Sequence, residues 1–114
     1  MEDCIFCKII KGEIPSKKIY EDDKVLAFYD INPEAPIHFL VIPKEHIVSA
    51  IEINEKKCEV IAHIFLVINK IARELGIDKT GYRIVNNCGR DGGQTVGHMH
   101  FHILGGRGLQ WPPG

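Results

Sequence analysis

The chain has 114 residues, with 14 Lys and Arg against 15 Asp and Glu and a formal net charge of -1. That length leaves room for one core, so residues 1–114 are expected to form a single domain, and a composition of 45% hydrophobic and 25% charged residues is that of an ordinary globular chain. Balanced charge excludes a broad nucleic-acid footprint, the apolar run Ile64–Ile68 falls far short of the ~20 residues that span a bilayer, and the N-terminal stretch lacks a signal peptide's apolar core; a cytoplasmic protein with neither nucleic-acid nor membrane partners is expected.

Residues 4–11, Cys-Ile-Phe-Cys-Lys-Ile-Ile-Lys, predict a short helix stopped at Gly12. A short strand near 17–20 precedes two strands at Lys24–Tyr29 and His38–Ile42, both rich in β-branched, Leu and Phe residues. Asp30–Pro36 between them is a turn, because Pro33 and Pro36 bias the residues before them away from helix. The longest element is a helix over Glu55–Leu75, with Asn54 as N-cap and Gly76 at the stop position. Cys58, Ile61, Phe65, Ile68, Ala72 and Leu75 recur on one face, with Ile64 and Ile71 beside them. Cys58 is therefore expected in the core. His63, grouped with Lys56, Glu59, Lys70 and Glu74, is expected in solvent. Tyr82–Asn87 and Gly97–Leu104 read as two further strands. The expected class is α+β: a largely antiparallel sheet packed against one long helix (55–75), plus a short N-terminal helix.

The segment His98-Met99-His100-Phe101-His102-Ile103-Leu104 concentrates the chemistry. On a strand, alternate residues share a face, so three imidazoles would line one side about 6–7 Å apart while Met99, Phe101 and Ile103 enter the core. A solvated strand face that happens to be His-rich is the bland alternative, but half of the chain's six histidines lie within these five residues. Just upstream, Gly89 to Gly97 holds four glycines in nine residues. Alone it fits a hairpin loop as well as an anion-binding cradle of main-chain N–H groups.

His98 to Leu104 resembles the histidine-triad pattern, His-φ-His-φ-His-φ-φ with φ apolar, at every position. Cys4–Pro15, Tyr29–Pro33, His38–Pro43, Asp91–Gln94 and the ending Trp111-Pro112-Pro113-Gly114 look like the Hint branch of the histidine-triad (HIT) family, so the resemblance spans nearly the whole chain. It implies a homodimer that binds purine nucleotides and hydrolyses nucleoside 5′-phosphoramidates or related nucleoside monophosphate conjugates through a nucleotidyl-histidine intermediate. A dinucleoside polyphosphate hydrolase, or a nucleotide-sensing module with little turnover, is the alternative. The resemblance makes His100 the nucleophile, His102 a donor to the phosphate oxygens, Thr95 the hydroxyl that assists the leaving group, and His38 the partner that fixes a triad tautomer. It makes Asp30 the acceptor of the ribose hydroxyls and maps the base slot to Phe6, Ile9, Ile14, Phe28 and Ile31, with Leu40 close by. Asn87 and Gly93 look like phosphate or leaving-group contacts.

Catalysis by this scheme requires no cofactor. Cys4 and Cys7 have the spacing of a zinc half-site. Some histidine-triad relatives complete such a site with residues matching His46 and His98, which implies a structural zinc. A redox CxxC and a catalytic zinc on the three triad histidines are the rivals. The latter conflicts with a nucleophilic His100, because a ligated nitrogen cannot also attack.

Overall fold

The computed structural model describes residues 3–114. In chain order it contains α1 (Ile5–Ile10), β1 (Lys18–Glu21), β2 (Val25–Tyr29), β3 (Ile37–Pro43), a 3-10 turn (Ala50–Glu52), α2 (Cys58–Leu75), β4 (Tyr82–Val85) and β5 (Phe101–Gly105). The five strands form one antiparallel sheet in the order β1-β2-β3-β5-β4. This is the expected α+β class.

The central strands are covered on both faces, which is why β2 and β3 read as nearly unbroken apolar runs. Val25, Ala27, Phe39, Val41, Phe101 and Ile103 pack on Ile64, Val67, Ile68, Ile71 and Ala72 of α2. Leu26, Phe28, Leu40 and Ile42, which alternate with them, pack on Phe6 and Ile9 of α1. Period-two alternation thus assigns each residue to one of two cores.

The long helix starts later than expected, at Cys58. Asn54 does cap, but it caps a separate turn: its Oδ1 accepts the N–H groups of Lys56 and Lys57 at 3.0 and 3.1 Å. Cys58 is exposed rather than in the core, its thiol donating to the Glu55 carbonyl at 3.3 Å. Phe65 is also 43% exposed, because the buried stripe centres on Ile64, Ile68 and Ile71 and the sheet covers only one side of a helix that is apolar over a wider arc. His63 is not simply solvated. Its Nε2 lies 2.6 Å from Asp22 Oδ2, tying α2 to the turn between β1 and β2. Burial opposes ionisation of Asp22, but hydrogen bonds from His63, the Lys24 and Val25 N–H groups and the Tyr20 hydroxyl outweigh it and hold the carboxyl well below its ordinary range.

β4 ends at Val85 and β5 begins at Phe101, so the first part of the histidine segment precedes the strand. The Gly89–Gly97 loop delivers it. A Cβ at Gly92 would collide with the Cys88 main chain, so only glycine lets the loop fold back this tightly.

Ile68→Ala is expected to cost about 2–5 kcal/mol, the range for emptying a packed core position. Cys58→Ala should stay within about 0.5 kcal/mol, as at other exposed sites. Urea unfolding of the two variants checks the orientation of α2, and equal losses would contradict it.

Candidate functional site

β3 and β5 pair with Leu40 opposite His102 and His38 opposite Leu104, so His38 and His102 emerge on the α1 face of the sheet. His98 and His100 continue that side although they precede β5. Phe6 packs nearly perpendicular to both rings, with centroids at 5.9 and 5.1 Å, and the His100 and His102 centroids lie 5.0 Å apart. Met99 and Phe101 enter the other core, as alternation predicts. No ladder holds residues 98–100. They are fixed by Met99 N–H donating to the Ile47 carbonyl at 2.6 Å and by Asn86 Nδ2 donating to the His100 carbonyl at 2.9 Å.

The partners of each ring settle its proton, because a carbonyl only accepts and a backbone N–H only donates. His100 Nδ1 lies 2.8 Å from the His98 carbonyl, so Nδ1 carries the proton and Nε2 the lone pair. His98 Nε2 lies 2.8 Å from the Pro43 carbonyl, so Nε2 is the donor and Nδ1 holds the lone pair. His38 Nδ1 accepts from Glu34 N–H at 3.1 Å, which puts the proton of a neutral ring on Nε2. That proton is donated to His102 Nδ1 at 3.0 Å, leaving His102 an outward Nε2–H. The cluster therefore presents one lone pair, on His100, beside one donor, on His102.

Burial is the largest influence on His102, with neighbouring His100 and His38 adding to it and Asp30 opposing it; the ring is pushed down to about 4. His98 is also lowered, first by burial and then by His46 and His100, while its bond to Pro43 opposes the shift. Asp30 Oδ1 accepts from Asn32 N–H at 2.8 Å, and Oδ2 lies 3.5 Å from His38 Nε2. Each carboxylate oxygen keeps further lone-pair capacity.

A cleft of about 660 Å³ reaches the cluster at His38, lined also by Ser16, Lys17, Asp30 and Ile31. Of the residues mapped to a base slot, Ile31 is exposed and Ile14 half-buried, whereas Phe6, Ile9 and Phe28 form the α1-side core with Leu40. Thr95 lies on a different cleft, with Cys4, His46 and Val48. Asn87 lines a third, between β4 and the tail Leu109–Gly114, and Gly93 is exposed in the glycine loop at φ 75°. The structure thus gathers Asp30, His38, His100 and His102 and leaves Thr95, Asn87 and Gly93 at its surroundings. Sequence reasoning missed the groups that orient the rings. Three are main-chain atoms of Glu34, Pro43 and His98, invisible as residue types; Asn86 is a side chain, adjacent to the Asn87 that was singled out.

Cys4, Cys7, His46 and His98 bring four ligand atoms within 4.8 Å of one another. Cys4 Sγ and Cys7 Sγ lie 3.3 and 3.6 Å from His98 Nδ1, Cys7 Sγ lies 3.2 Å from His46 Nδ1, and the two Nδ1 atoms are 3.2 Å apart. These separations approach the edges, about 3.3–3.6 Å, of a tetrahedron built with ordinary Zn–N and Zn–S lengths. The lone pair of His98 faces the cluster while its other nitrogen donates to a carbonyl, the usual second-shell arrangement of a ligating histidine. Asp30, His38 and His102 form another compact group, but Glu34 N–H occupies the His38 Nδ1 lone pair and leaves Nε2 protonated. The first group suits a soft cation and the second does not.

The HIT domain family model matches residues 11–109. A 14 kDa zinc-binding protein of Zea mays is 48% identical over 112 residues, covering 96% of this chain and 87% of that protein. A HIT family hydrolase from Legionella pneumophila superposes with a TM-score of 0.96 at 47% identity, covering 98% of this chain and 100% of that one. A histidine triad nucleotide-binding protein from Candida albicans superposes at 0.83 with 39% identity, covering 96% and 83%.

As pH falls below the ordinary histidine value of 6.5, an unfolded chain takes up a proton at position 102 that the folded chain refuses until about 4. Folding stability is therefore expected to decline across that window, and His102→Gln to flatten the decline. Urea unfolding at several pH values, with a nitrogen NMR titration of His102, checks this; a ring that titrates near 6.5 would refute it.

Proposed function

The chain belongs to the HIT domain family, and from that premise we propose that it is a nucleotide-binding hydrolase that cleaves nucleoside 5′-phosphoramidates or related nucleoside monophosphate conjugates, as in the Hint branch. The observation that carries the reading is the bond from His100 Nδ1–H to the His98 carbonyl, which leaves Nε2 as the one unengaged lone pair of the triad. The names of the Legionella hydrolase and the Candida nucleotide-binding protein support the same class.

In this reading the nucleoside occupies the cleft beside Asp30, whose carboxylate accepts from the ribose hydroxyls, and the exposed Ile31 offers an apolar surface to the base. Apolar recognition with few polar anchors suits purines in general. His100 Nε2 attacks phosphorus, the phosphorus–nitrogen bond breaks, and the amine departs with a proton drawn from solvent, which the water consumed in the second step returns. His102 Nε2–H donates to a non-bridging oxygen as charge develops there. Burial keeps His102 uncharged, so the donor is in place at neutral pH. Water then attacks the nucleotidyl-His100, releasing the nucleoside monophosphate and restoring the lone pair. Thr95 opens onto the neighbouring cleft, so its proposed part is confined to a leaving group that extends away from the nucleoside.

We assign a structural zinc to Cys4, Cys7, His46 and His98, supported by the donor set and by the zinc-binding relative from Zea mays. Cys4 and Cys7 at α1 and His46 and His98 at the sheet would hold the ion between them, where it would supply a structural tie rather than a Lewis acid for substrate. A homodimer is proposed on the edge position of β4 and the exposed apolar side chains Phe65, Leu66 and Trp111.

His100→Ala is expected to abolish turnover of adenosine 5′-phosphoramidate while AMP affinity changes by less than about fivefold. Mass measurement of wild-type protein quenched during turnover should show a nucleotide adduct that the variant lacks; an adduct in the variant overturns the assignment, and AMP binding with no adduct in either favours a sensing module. Protein purified without chelator should carry one zinc per chain and Cys4→Ser much less, with a lower melting temperature. Absence of zinc from both refutes the metal assignment, and light scattering at the mass of one chain removes the dimer.

A further inference from the structure

The turn after β5, Gly106-Arg107, has no part in the reading above, yet it touches the segment that orients the site. Gly106 sits at φ 90°, and a Cβ there would lie 2.9 Å from Pro36 Cβ, so a glycine lets this turn close on the Asp30–Pro36 loop. Arg107 then reaches the main chain of the same loop. Its Nη2 donates to the Glu34 carbonyl at 2.8 Å and its Nε at 3.3 Å, while Nη1 donates to the Gly108 carbonyl at 3.0 Å. Glu34 is the residue whose N–H donates to His38 Nδ1, and His38 in turn donates to His102.

We propose that Arg107 is a positioning residue for phosphoryl transfer: by clamping the Glu34 carbonyl it holds the N–H that assigns the proton of His38, and through His38 the Nε2–H that His102 turns toward the phosphoryl group. The clamp is needed because the loop has little else to define it. β2 ends at Tyr29 and β3 begins at Ile37; across that gap the loop is held by Asp30 N–H on the His38 carbonyl at 3.1 Å and by one side-chain cap, Asp30 on Asn32 N–H. Pro33 and Pro36 limit the backbone angles but supply no donor. A planar guanidinium that gives two N–H groups to one carbonyl fixes direction as well as distance. Without it, rotation about the Glu34 backbone withdraws the N–H, His38 is free to move its proton to Nδ1, and its Nε2 then accepts from His102 Nδ1–H. The outward nitrogen of His102 would change from donor to lone pair, the wrong sign beside a phosphoryl oxygen.

The catalytic meaning of this relay rests on the function proposed above, whereas the relay itself is read without turnover. Nitrogen-15 NMR of the imidazole side chains in the full chain, compared among wild type, Arg107→Ala and Arg107→Lys, is the test. Wild type should show His38 and His102 each protonated on Nε2 alone. Arg107 is exposed, so its removal leaves both cores in place. In Arg107→Ala both rings should become tautomer mixtures, with kcat for adenosine 5′-phosphoramidate down at least about fivefold and KM within about twofold. Arg107→Lys, which keeps one donor for Glu34, should recover part of both. Single Nε2–H tautomers in Arg107→Ala overturn the proposal, whatever the turnover. Mixed tautomers in a protein that never turns over phosphoramidate uphold the relay and refute the reaction assigned to it.

Discussion

A carbonyl oxygen has no proton to give, and the order of the histidine cluster depends on that constraint. Two rings lean on carbonyls, at Pro43 and His98, and a third receives a backbone N–H at Glu34. These main-chain groups decide which nitrogen of each imidazole is basic. His98 shows the economy of the arrangement: its ring directs a lone pair into the Cys4–Cys7–His46 cluster while its own carbonyl takes the proton of His100. One residue orients the Cys–His cluster and the free lone pair of His100 at once.

The fold explains why this cluster can exist on a sheet otherwise packed with apolar side chains. α2 has 18 residues and covers one face, whereas α1 has 6 and leaves part of the opposite face open. The rings occupy that remainder, bounded by Phe6 on one side and by the Asp30 cleft on the other. Burial there is deep enough to disfavour imidazolium at His102.

Much of this was legible in the residues. Alternation through His98–Leu104 assigns the histidines to one face even though the ladder begins only at Phe101: His98 and His100 meet Phe6 and His102 follows beside His100, while Met99, Phe101 and Ile103 enter the other core. Cys4 and Cys7 announce by spacing half of the four-residue Cys–His cluster. The orientation of the long helix was harder to read. Its apolar arc is wide enough to include Phe65 and Leu66, and periodicity alone does not say which edge of such an arc the sheet will cover. Asn54 signals a cap truly but not what it caps. Cys58 was misplaced by the same extension of the helix. The orienting groups at Glu34, Pro43 and His98 had no signal at all, since every residue owns a carbonyl.

α1 is too short to persist by itself, and its partners lie far along the chain: Cys4 meets His98 across 94 positions, and Cys7 meets His46 across 39. A segment whose partners lie so far along the chain is therefore among the last to be seated. Until His98 has been synthesised and the sheet has closed, two thiols remain accessible to stray metals and oxidants. Assembly of the Cys4–Cys7–His46–His98 cluster and completion of the second core are, for this chain, a single late event.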